Sequence, residues 1–126
     1  MFEEADLIHR YSRADALRDG VLIDVSETAK EAGIRWPVAL TAAVWAKCVA
    51  VPRGVACQDE AGRLWDVVYL LRLAIGRRDS GPEVRFGVHV RNDNRDRTPP
   101  LIRLKALCGP SDDGAPCVTV MLPEED

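Results

Sequence analysis

Residues 59–91 read DEAGRLWDVVYLLRLAIGRRDSGPEVRFGVHVR, and within this stretch the period of the apolar residues changes once. Leu64, Val68, Leu71 and Ile75 recur at helical spacing, and Val67, Leu70 and Ala74 widen the stripe. The spacing predicts a helix over 59–76, nearly all buried and the longest of the chain. Burial of each Leu, Val or Ile contributes ~1.5–3 kcal/mol, so this helix is the expected centre of the core. Trp65 and Tyr69 are four apart and should lie against each other along its side. After Gly81-Pro82 the period becomes two. Val84, Phe86, Val88 and Val90 alternate with Arg85, Gly87, His89 and Arg91, as in a strand with one buried face.

Toward the C-terminus the same alternation recurs in LIRLKALC (101–108) and CVTVML (117–122). The turn-forming segments NDNRDRTPP (92–100) and GPSDDGAP (109–116) separate the three strands. An antiparallel meander over 82–122 follows, with its apolar face on the 59–76 helix. PEED at 123–126 reads as a frayed acidic tail.

Toward the N-terminus, Ser12 is placed to cap a short helix, RADALRDG, that ends at Gly20. VLIDV (21–25) is a short strand or extended segment, and Ser26 is a second N-cap, for a two-turn helix closed by Gly33. Pro37 suits a first helical position, and VALTAAVWAKCVA (38–50) runs on at helical period until Pro52 and Gly54. Residues 1–78 are therefore expected to be mainly helical. The predicted fold is α+β, N-terminal helices packed on a C-terminal three-stranded antiparallel β-meander, in a single domain of 126 residues.

Composition supports a globular chain, with 47% hydrophobic and 29% charged residues. No apolar run approaches the ~20 residues that span a bilayer. MFEEADLIHR (1–10) is acidic and lacks an apolar core, which argues against a secretory signal and for the cytoplasm. Cys48, Cys57, Cys108 and Cys117 fall in two pairs, each nine apart, with neither histidine beside them in sequence. Zinc ligands usually come in pairs about two to four residues apart, so the expectation is reduced thiols and no metal, with Cys48 and Cys108 in the core.

No catalytic signature is present: no GxSxG, HExxH, phosphate loop or GxGxxG. His9, with Asp6 nearby, could be an oriented general base, but no nucleophile adjoins it and a surface histidine is the simpler reading. The sequence thus points away from an enzyme and implies no catalytic residues and no cofactor. A small enzyme using His9 or Asp24 is the weakest of the alternatives.

Charge is uneven. The net charge is −3, but residues 72–105 hold nine Lys/Arg against four Asp/Glu, between acidic flanks. By alternation Arg85, His89, Arg91, Arg103 and Lys105 share the polar side of two adjacent strands, and Arg95 and Arg97 flank them. Guanidinium forks on a sheet face suit a carboxylate-rich protein or phosphates. The plain alternative is a solvated face, partly neutralised by Asp93 and Asp96. Nucleic acid is disfavoured because sheet-based RNA readers stack bases on exposed aromatics and this face has none. Trp36, beside Arg35 and before Pro37, reads either as a staple over the start of its own helix or as an exposed anchor for a partner, with the staple preferred.

GVLIDVSETAKEAG, IRWPVALTAAVWAKCV and GRLWDVVYLLRLAI together resemble a family of small, functionally uncharacterised bacterial and phage proteins carried on plasmids, prophages and integrative elements. The matching positions are Asp19 to Val25, Pro37 to Trp45 and Arg63 to Val67. The resemblance implies no activity. It implies a mobile-element context, and hence a non-enzymatic accessory protein that acts by protein–protein binding, of the kind that blocks a host defence complex such as a CRISPR effector or restriction enzyme. A nucleic-acid-binding accessory factor that uses the arginine-rich sheet face is the alternative.

Overall fold

The computed structural model describes residues 11–77 and 81–125. Element order is α1 (Arg13–Arg18), β1 (Leu22–Asp24), α2 (Ser26–Glu31), β2 (Val38–Thr41), α3 (Ala42–Val44) running into a π-helical turn (Trp45–Val49), α4 (Glu60–Arg77), β3 (Glu83–His89), β4 (Leu101–Pro110) and β5 (Pro116–Met121). The fold is α+β. Its sheet has five strands in the order β1-β2-β5-β4-β3. β2 and β5 are parallel and every other pair is antiparallel.

The three C-terminal strands neighbour one another in succession, but they are the larger part of a mixed sheet rather than a free-standing meander. The correction lies at 38–41. There the expected helix start is a strand whose four residues are all buried. Val38 and Leu40 enter the core cluster, while Ala39 and Thr41 face the other side and are covered as well. A strand covered on both faces loses its alternation, and a run this short cannot be told from a helix by period. Only the second half of the expected helix, from Ala42, is helical. Thr41 caps that half by accepting from the Val44 amide at 3.2 Å. Residues 11–77 are mainly helical, as expected, but β1 and β2 interrupt the helices and join the sheet.

Local chemistry accounts for the other N-terminal elements. Ser12 caps α1 in a reciprocal box with Asp15, and Gly20 follows at φ 79°. Ser26 was expected to cap α2. Instead it is the first helical residue, and its hydroxyl accepts from the Val38 amide at 3.0 Å and donates to Asp24. The frayed tail is also corrected, because Glu125 Oε1 accepts from the Thr41 hydroxyl and the Leu122 amide, both at 2.8 Å.

α2, α4 and the π-helical turn cover one face of the sheet. α4 is the expected long helix, buried through Arg63, Val67, Val68, Leu71 and Ala74. Its outer side is exposed, contrary to the expectation of near-complete burial. Trp65 stacks on Tyr69 there with centroids 6.2 Å apart, as their four-residue spacing predicts. α1 lies over the reverse face, where Arg13 reaches the Thr119 hydroxyl and the Val118 carbonyl.

None of the four cysteines is in a disulfide. Cys48 and Cys117 are buried, Cys108 is half-buried rather than in the core, and Cys57 is exposed. Burial pushes the Cys48 thiol up to about 11, with Arg63 and Lys47 opposing the shift. At pH 8 only on the order of one Cys48 in a thousand is thiolate, the reactive form. A thiol reagent should therefore modify Cys57 first and Cys48 only on unfolding. Equal rates at the two would contradict this packing.

Candidate functional site

The polar face of β3 and β4 is built by register. Arg85 sits opposite Lys105, Gly87 opposite Arg103, and His89 opposite Leu101. The structure thus brings Arg85, His89, Arg103 and Lys105 together on the side away from α4, as alternation predicts. Their states differ. Arg85 donates to Glu83 at 2.8 Å. His89 Nδ1 donates to the Pro99 carbonyl at 2.7 Å, which leaves Nε2 as the outward nitrogen. Arg103 and Lys105 have no counter-charge among the described residues. Leu101 is 48% exposed in their midst. It lies on the Gly87 backbone so closely that a Cβ there would meet Leu101 Cδ1 at 2.8 Å. A concavity of about 260 Å³ runs between Arg85, Gly87, Leu101, Arg103 and Pro123.

Arg91, Arg95 and Arg97 are not part of this face. They belong to the β3–β4 loop, and Arg91 turns inward to donate to the carbonyls of Arg95 and Arg97. Arg97 pairs with Asp93 at 3.1 Å. The Arg95 amide, with help from Arg97, holds the Asp93 carboxyl below its usual range. This loop docks on the rest of the chain through Asn94, which donates to the Gly54 carbonyl and accepts from the Ala56 amide, both at 2.8 Å.

Trp36 is remote from the basic face, at the end of the sheet where β2 begins, and is 38% exposed. With β2 a strand, there is no helix start for it to staple. It lines a concavity of about 240 Å³ with Gly33, Ile34, Arg35, Arg72, Ile75 and Gly76. On its other side it lines a second one of about 370 Å³ with Cys108, Gly109, Pro110, Gly114 and Pro116.

Two residues of consequence escape a reading of the sequence. Arg72 lies across Gly33, where a Cβ would come within 3.1 Å of its Nε. Nothing local announces that contact, because Gly33 and Trp36 meet α4 only in the folded chain. Arg63 is 5% exposed. Its guanidinium donates to the Cys48 carbonyl (3.0 Å), the Arg91 carbonyl (3.1 Å) and Asn92 Oδ1 (2.7 Å). Burial draws its pKa down from the ordinary arginine value. A signal existed here, since Arg63 precedes Val67 and Leu71 by four and eight on the buried stripe.

Among the described residues no group of three His, Cys, Asp or Glu side chains could hold a metal ion. Among the described residues no helix is long and apolar enough to cross a membrane. His9, the one histidine weighed as a general base, lies outside the described residues. The match that places the chain covers residues 1–126, and it is to the family described as a family of unknown function, DUF6573. The chain belongs to this family. No curated protein and no solved structure matches it. Membership agrees with the resemblance drawn from the motifs around Asp19 to Val25, Pro37 to Trp45 and Arg63 to Val67 in one respect, that the family is functionally uncharacterised.

Proposed function

We propose that this chain is a non-enzymatic accessory protein that binds an acidic protein partner on the basic end of its sheet. The observation that carries the reading is the pair Arg103 and Lys105, two cations with no counter-charge among the described residues, in a row along β4 with an exposed Leu101. Exposed apolar surface ringed by unpaired cations suits a protein surface of opposite charge. The mobile-element context implied by the sequence resemblance supplies the partner class: a host defence complex of the CRISPR-effector or restriction type, bound and blocked in the cytoplasm. Nucleic acid fits less well, because the exposed face carries no aromatic for stacking and the net charge is −3.

The test is a charge reversal, Arg103→Glu with Lys105→Glu. Purified defence complexes of the native host would be titrated with wild-type and variant protein. Reversal replaces attraction with repulsion, so affinity should fall at least about a hundredfold, roughly 2.7 kcal/mol, and the wild-type affinity should weaken with salt. Equal affinity of the two proteins rejects the face as the docking surface. A low-salt gel shift of DNA or RNA by wild type, lost in the variant, transfers the face to the nucleic-acid reading.

A further inference from the structure

We infer that the ridge at Trp36 is a second, separate docking point, which takes an extended acidic segment of a protein partner by seating a carboxylate between Arg35 and Arg72. The inference rests on the protein-binding reading above and adds a site at the opposite end of the sheet from His89.

Four observations carry it. First, Arg35 and Arg72 line one concavity and neither has a counter-charge among the described residues. Two guanidiniums at one opening favour an anion, and a carboxylate matches the planar fork in two parallel hydrogen bonds. Second, the Arg72 side chain, although exposed, is laid down over two glycines. It packs over Gly33, which has φ 100°, and its Nη1 would lie 3.6 Å from a Cβ at Gly76. Two glycines therefore leave room for the guanidinium to lie flat, which reduces the entropy lost on binding. Third, the wall beside the cations is apolar: Ile34, Ile75 and the indole of Trp36. A carboxylate with an aliphatic neighbour matches such a wall better than an isolated ion does.

Fourth, size and continuity select the occupant. Small-molecule and cofactor sites usually enclose about 300–1,000 Å³. At about 240 Å³ this concavity holds a side chain or two. It does not end at Trp36, because the same indole forms a wall of the Gly- and Pro-lined depression at the β4–β5 turn. An extended chain crossing the ridge would set its acidic side chain on the Arg72 side and its next residues over Gly109 and Pro110. An exposed tryptophan beside arginine is also the composition in which interface energy concentrates.

The probe is a blocked pentapeptide, acetyl-Gly-Leu-Glu-Leu-Gly-amide, against its Gln counterpart and inorganic phosphate. The readout is the indole N–H resonance of Trp36, assigned by its loss in Trp36→Phe. The Glu peptide should shift that resonance saturably, and the Gln peptide should bind at least about tenfold more weakly. Arg72→Gln should remove the response, with an unchanged thermal midpoint to show that the fold is intact, while the Arg103→Glu, Lys105→Glu protein should bind the peptide like wild type. An equal response to Glu and Gln peptides, or none at tens of millimolar, overturns the inference. So does a tighter response to phosphate. The failures are distinguishable: an inert pocket with a charge-reversal effect at Arg103 and Lys105 removes only the second site, whereas peptide binding without any protein partner removes only the functional reading.

Discussion

Replacing Arg63 by alanine is expected to remove about 3–5 kcal/mol of stability, a large part of the roughly 5–15 kcal/mol that holds a domain of this size. The guanidinium is 5% exposed and spans three segments. It joins α4 to the Cys48 carbonyl of the π-helical turn, and to the Arg91 carbonyl and Asn92 side chain of the β3–β4 loop. Asn92 closes the arrangement by donating to the Lys47 carbonyl at 3.1 Å. Truncation leaves several acceptors at the helix–loop junction without donors, at about 1–3 kcal/mol each for those that stay dry, and opens a cavity beside Val67.

Among the described residues no carboxylate pairs with Arg63. Its charge is balanced by carbonyl dipoles, two of them at the end of a helical turn where the dipole is negative. Arg63→Lys should therefore recover little, because one ammonium cannot reach acceptors spread over two loops. Arg63→Met keeps much of the volume and removes the buried charge, so it should fall between Ala and wild type. The measurement is the urea midpoint at unchanged slope. A shift of under about 1 kcal/mol in the alanine protein would mean that water replaces the guanidinium at no cost.

Arg63 also marks how far the sequence could be read. α4 and the strands β3, β4 and β5 were legible because each sustains its period over several residues. The basic face was legible for the same reason: alternation alone puts Arg85, His89, Arg103 and Lys105 on one side of the sheet. Alternation cannot say what a loop does with its charges. Arg91 was grouped with the face but turns into its own loop, because backbone carbonyls, which no sequence pattern reports, were its nearest acceptors. Arg72 and Trp36 meet only because α2 packs on α4 and brings Gly33 under the guanidinium. That contact is tertiary, and only the exposed Trp–Arg pair at 35–36 hinted at it.

The helix expected from Pro37 onward supplies the second large effect, because one substitution separates the two structures that segment could have had. In a helix starting at Pro37, Ala39 would lie in the first turn, where proline is tolerated because no amide there has an internal partner. In the sheet, Ala39 is 1% exposed on a strand paired on both sides, opposite Asp24 of β1 and Thr119 of β5. The Val25 amide bonds the Val38 carbonyl and the Val118 amide bonds the Pro37 carbonyl, both at 2.9 Å. By alternation the Ala39 amide faces β5. Proline removes that donor and places its ring against β5, which is why proline in sheets is confined to edges and bulges. Ala39→Pro is therefore expected to cost on the order of 3 kcal/mol or more, with loss of the β2–β5 pairing that joins the N-terminal strands to the rest of the sheet. Hydrogen exchange makes the outcome specific: protection should vanish at Leu40 and Thr41 and at the amide of Val118, while the α4 amides lose it only with global unfolding. A variant with a wild-type midpoint would return residues 37–49 to one helix. It would also restore the staple role of Trp36, since the indole stands clear of the sheet only because the chain that follows it is extended.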